Sequence, residues 1–139
     1  MTAEALYCRQ LLTGRPDGGL DRAALAEAIE SLTSEPPNAN AVNLYYWYYA
    51  TLALHHAQGA SNESAEAWRR WNDAQVRTLV ASQDDDGSWP ATCLWGGYGG
   101  RVYTTALGAM CLEAYYRYAA GGEGVDVARK DEWQAVPAR

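Results

Sequence analysis

The sequence predicts an all-α protein built from stacked α-hairpins. Three observations carry that expectation. Stretches with helical patterning are separated by runs of breakers. They alternate between helices apolar on nearly every side and helices apolar along one stripe. Two of the apolar stretches also repeat each other. Tyr45, Ala50, Leu52, Ala53 and Leu54 match Tyr103, Gly108, Met110, Cys111 and Leu112 in kind at a common offset of 58 positions. A hairpin of one buried and one surface helix cannot bury its flanks alone, so it must stack on neighbours.

The first helix is expected from Thr2 to Leu12, with Thr2 as its cap and Leu6 and Cys8 among its apolar positions. Gly14, Pro16, Gly18 and Gly19 end it. Asp21 is a natural N-cap for a second helix to about Thr33, in which Leu25, Ala28, Ile29 and Leu32 share one face. Pro36 and Pro37 stop that helix. From Ala41 to Gln58 there is no Asp, Glu, Lys or Arg, and five consecutive aromatics run from Tyr45 to Tyr49. A helix apolar all round is expected to be buried all round.

After a loop at Gly59 to Asn62, a fourth helix is expected to run to about Ser82. Trp68, Trp71, Val76, Leu79 and Val80 form its buried face, with Asp73 and Arg77 paired opposite. The loop from Asp84 to Gly100 leads to a long apolar helix, Arg101 to Ala120. Residues 1–120 thus read as one repeat segment. Gly121 to Arg139 has no sustained period and reads as a disordered tail in which Trp133 is the one docking candidate.

Gln83, the acidic run Asp84 to Asp86, Gly87 and Trp89 have the order and spacing of a QW motif. Gln83, at the end of an outer helix, is placed to bond the unsatisfied amides that open the next inner helix. Gly87 permits the turn, and Trp89 can pack over the joint. Trp95 to Thr105, with Gly96, Gly97, Gly99 and Gly100, is a glycine-rich approach to an inner helix. In these features the chain resembles the squalene/terpene cyclase and prenyltransferase repeat superfamily, in particular bacterial squalene-cyclase-like repeat proteins. The resemblance implies an (α/α)6 toroid, of which this chain would supply about half. The open edges of such a half imply a homo-oligomer or a missing N-terminal half.

The same resemblance implies inner helices that line a cavity. Tyr45, Tyr46, Trp47, Tyr48, Tyr49, Tyr103 and Trp95 are then the candidate ligand-lining residues, and an isoprenoid-like small molecule the implied ligand. Aromatic ring faces suit such chains and the cations derived from them. Catalytic residues are not legible. Class II terpene cyclases carry their acid in an Asp-x-Asp-Asp motif, which Asp84 to Asp86 does not match. Prenyltransferase β subunits hold zinc with an Asp-x-Cys placed just before the inner-helix Tyr. Here Val102 precedes Tyr103, and His55 and His56 sit late in their helix, where they suit the negative end of the dipole. No metal or cofactor is expected.

The best-supported reading is therefore a noncatalytic repeat module that binds an apolar ligand or a protein partner. Its alternatives are half of an isoprenoid cyclase whose acid lies on another segment, and a carbohydrate-active toroid using Asp84 to Asp86, Trp89, Trp95 and Tyr98. A net charge of -6 argues against a nucleic-acid partner. Ten Tyr and six Trp with no Phe favour side chains that combine an apolar body with a polar tip. Three cysteines without framework spacing, and no apolar leader near the N-terminus, point to a reducing, cytoplasmic setting. No stretch is long enough to span a bilayer.

Overall fold

The computed structural model describes residues 1–117, and side chains as far as Ala114. The expected tail and Trp133 lie outside the described residues. Five helices follow in order: α1 (Thr2–Thr13), α2 (Arg22–Thr33), α3 (Leu44–Ala57), α4 (Asn62–Ser82) and α5 (Gly96–Arg117). Among the described residues there is no strand. The all-α expectation holds, and among the described residues no helix is long and apolar enough to cross a membrane.

Local chemistry sets the boundaries. The Oδ1 of Asp21 accepts from the amide of Ala24 at 2.9 Å, which caps α2 as expected. The Oδ1 of Asn43 does the same for Tyr46 at 3.2 Å. That bond starts α3 at Leu44 rather than Ala41, because Asn43, with φ -132° and ψ 79°, is non-helical as a cap must be. Thr2 is already helical, and Met1 stands at the cap of α1 without a side-chain bond. Gly14 closes α1 with φ 65°, a value an L side chain rarely adopts. Asn43→Ala is expected to cost about 1 kcal/mol of unfolding free energy in a urea titration.

Residue pairs fix how the helices run. Thr51 meets Gln75, and His55 meets Trp68, so α3 and α4 are antiparallel. Leu79 meets Trp89, which leads into α5, and Gln75 meets Cys111, so α5 is also antiparallel to α4. Arg22 meets Glu63 and Pro37 meets Thr78, so α2 and α4 run together. The result is two rows. Helices α1, α3 and α5 lie side by side in one, with α3 in the middle; α2 and α4 form the other. This is the order inner, outer, inner, outer, inner that the alternation in apolar character predicts.

The core lies between the rows and is centred on Trp47, Leu54, Trp71 and Leu79. It includes a polar chain. The indole N–H of Trp71 donates to the hydroxyl of Thr51 at 2.9 Å, and that hydroxyl donates to Oε1 of Gln75 at 2.9 Å. The amide of Gln75 lies against the thiol of Cys111, which points to the carbonyl of Leu44 at 3.9 Å. Burial pushes the Cys111 thiol well above its usual range. The bonds at Thr51 join α4 to α3 through groups that would be costly to bury unpaired, and the Cys111 thiol ties α5 to α3 at Leu44.

Two expectations for α4 change. Gln75 is fully buried, whereas Val80 is 56% exposed. The buried residues Ser64, Ala67, Trp68, Trp71, Gln75 and Leu79 lie on one face of the helix, and Val80 falls off it. The ion pair on this helix is Glu66 with Arg70 at 2.9 Å, not Asp73 with Arg77. Helix α5 also begins earlier than expected. A single turn, Gly96 to Gly99, precedes Gly100, whose φ of 65° and ψ of -170° break the helix before it resumes at Arg101.

Candidate functional site

The aromatic run of α3 divides by helical phase. Tyr46 and Trp47 turn into the molecule, whereas Tyr45, Tyr48 and Tyr49 turn to the open side of the α1–α3–α5 row. Trp47 is only 2% exposed. The Tyr46 hydroxyl donates to the carbonyl of Leu32 at 2.8 Å, and its ring meets Trp71 edge-on at 5.9 Å. Burial raises the Tyr46 phenol, with Glu35 and Glu4 adding to the effect. These two residues therefore do not line a common wall with the other tyrosines. They border a separate cleft of about 410 Å³ between Ser34–Asn38 and the start of α3.

The remaining tyrosines form one surface. The rings of Tyr45 and Tyr49 lie 5.0 Å apart, and those of Tyr48 and Tyr49 lie 5.2 Å apart. Partial burial and then Tyr45 raise the Tyr49 phenol, while burial, Cys93 and Tyr45 raise that of Tyr103. Tyr103 on α5 is thus an electrostatic neighbour of Tyr45 on α3. Trp95 is half exposed and stands apart on the loop, with Tyr98 as its ring neighbour at 6.4 Å. The expectation of an apolar helix buried on every side holds from Ala50 to His55, six consecutive positions that are all buried, and fails at the start of the helix, where Tyr45 is 42% exposed.

A larger cleft, about 770 Å³, lies on the opposite side, between α2 and α4. Its floor is Leu25, Ile29 and Ala67, and the pair of Arg22 and Glu63 stands beside it at 3.4 Å. None of the aromatic candidates borders it.

The loop before α5 does most of what its spacing predicts, with one exchange of roles. Trp89 is 5% exposed, and its indole N–H donates to the carbonyl of Leu79 at 2.9 Å, satisfying the end of α4. Its amide donates to Thr105, and its carbonyl accepts from the Thr104 hydroxyl at 2.8 Å. A Cβ on Gly108 would come within 2.8 Å of the indole ring, so glycine there is a requirement of contact. Gln83 behaves differently from expectation. Its amide donates to the carbonyl of Gly87 at 2.8 Å, inside its own loop, and does not reach the amides of α5. The loop curls at Gly87, φ 82°, and thereby holds Gln83 near the turn. Thr104 and Thr105, which the sequence reading passed over, make the bond to α5 instead.

Two of the three aspartates are likewise occupied. The Arg101 guanidinium donates to Asp84 at 3.0 Å, to Asp86 at 3.1 Å, and to the hydroxyl of Ser88. Bonds from Ser88 hold the Asp86 carboxyl below its usual range. This arrangement fixes a loop. Among the described residues no three His, Cys, Asp or Glu side chains gather in a way that could hold a metal ion.

His55 departs from its expected role. It is 3% exposed, and its ring meets Trp68 edge-on at 4.9 Å. Burial, with His56 adding, lowers its pKa to about 4. A neutral imidazole cannot balance the helix dipole at neutral pH.

Compared with known family models, with curated proteins and with solved structures, the chain finds no match. What the geometry defines is a class: a two-row, all-α hairpin protein with a tyrosine surface on its middle inner helix.

Proposed function

We propose that this chain is a noncatalytic repeat module of squalene/terpene-cyclase type, contributing about half of an (α/α)6 toroid. It binds an extended apolar, isoprenoid-like ligand on the face of α3. The observation that carries this reading is the ring contact of Tyr45, Tyr49 and Tyr48, with Tyr103 as an electrostatic neighbour of Tyr45, at the partly exposed start of α3. Such a surface offers large apolar area at low cost in side-chain entropy, and its hydroxyls tolerate water until a ligand displaces it. The carboxylates of Asp84 and Asp86 already bond Arg101 and Ser88, which argues for a structural role of the acidic run rather than acid catalysis by it.

The test is titration with farnesol and a squalene analogue, followed by calorimetry. Saturable binding is expected, and Tyr49→Ala should weaken it by about tenfold through loss of the central ring. Binding of an oligosaccharide instead would transfer the site to the carbohydrate reading. Turnover of a polyprene substrate by the chain alone would overturn the noncatalytic part. A Trp95→Ala change should leave binding unaltered, because that ring stands apart from the tyrosine cluster.

A further inference from the structure

The front of α3 changes character along its length. Leu52 follows Tyr49 by three residues and Tyr48 by four, so helical phase sets it on the line of the tyrosines and away from the core between the rows. Tyr45, at the start of that line, is 42% exposed, whereas Leu52 is 1% exposed. His56, a turn further on, is half-buried. An open face thus becomes a covered one within two turns.

We propose that residues 118–139 return across the row and cover the front of α3 from Leu52 onward, with Trp133 as the side chain seated there. Two observations choose this occupant. The first is that Leu52 is buried within a single chain, so the cover comes from the chain itself. Helix α4 stands behind α3, and α1 and α5 stand beside it. The part of the sequence left to close the front is the segment after α5. The second is position and length. Helix α5 runs parallel to α3, because both are antiparallel to α4, and it therefore hands the chain on at the covered end. Extended, residues 118–139 reach roughly 70 Å, whereas α3 is about 21 Å long, so the segment crosses the row with chain to spare. Its chemistry fits the seat. Trp133, with Val125, Val127 and Val136, supplies apolar area, and an indole packs well against the rings of Tyr48 and Tyr49 that border Leu52. The cover forms the closed end of the tyrosine face proposed above as a ligand surface; the docking itself does not depend on any ligand.

The experiment is thiol labelling of the full chain carrying Leu52→Cys and Cys8→Ser, with iodoacetamide as the probe and peptide masses as the readout. The thiol at position 52 is expected to react slowly, in step with the buried Cys93 and Cys111. Adding Trp133→Asp should speed it by about tenfold while Cys93 and Cys111 keep their rates, since only the local cover opens. An unchanged rate overturns the proposal and assigns the cover to the flanking helices. A rate that falls as protein concentration rises also overturns it, because the cover would then come from a second copy. Should Leu52→Cys fold poorly, hydrogen exchange over residues 44–57 in a chain carrying Trp133→Asp alone reads the same cover. Faster exchange confined to the second half of α3 supports the docking, and exchange equal to that of the unsubstituted chain overturns it.

Discussion

Replacing Trp89 with Ala is expected to lower the unfolding free energy by about 3–5 kcal/mol, measured by urea titration. Three separate losses produce this. The buried indole fills the joint between α4 and α5, so its removal leaves a cavity beside Gly108. The carbonyl of Leu79 loses its partner at the end of α4. The loop also loses the ring that holds its backbone against Thr104 and Thr105. Trp89→Phe restores much of the volume but not the bond to Leu79, and should fall between the two. Gln83→Ala sets the contrast. Its bond to Gly87 is exposed and stays within the loop, so a change within about 0.5 kcal/mol is expected. If Gln83→Ala proved as damaging as Trp89→Ala, the motif would act as a single unit and this division of roles would be wrong.

That division shows what the sequence could and could not convey. The hairpin order was legible because it rests on apolar period and on breakers, both local properties. The buried stripe of α2 and the cap at Asp21 were legible for the same reason. The direction in which a polar side chain turns is not local. Gln83 has the same spacing whether it reaches forward to α5 or back to Gly87, and only the curl at Gly87 decides. Gln10 was likewise unreadable. It is buried because its amide finds the carbonyls of Pro16 at 2.9 Å and Ala53 at 3.0 Å, and Ala53 lies far away in sequence. The aromatic run misled in a different way. Five consecutive rings cover every side of a helix, which says nothing about which side has a neighbour. Helical phase separates Tyr46 and Trp47 from Tyr45, Tyr48 and Tyr49, but only the position of α4 behind α3 assigns the first pair to the core.

Acidification should expose the second such surprise. His55 titrates near 6.5 in the unfolded chain and at about 4 in the folded one. Between those values the unfolded state binds a proton that the folded state refuses. Stability is therefore full above the unfolded pKa and falls as pH drops through this window, a loss of about 2 kcal/mol between pH 7 and pH 5. His56 is lowered by burial as well, so it adds in the same direction. The carboxylates of Asp17, Asp86 and Glu63, held low by their hydrogen-bond partners, lose their contribution only at more acid pH. The window above their range thus belongs to the histidines. His55→Leu should remove most of the slope between pH 7 and pH 5 in paired urea titrations, because Trp68 and Ala57 already surround the site with apolar surface. His56→Leu should remove less, since His56 remains half-buried beside Tyr7. A slope unchanged in His55→Leu would mean that water reaches the imidazole in the folded chain and that its burial against Trp68 is looser than the ring distance implies.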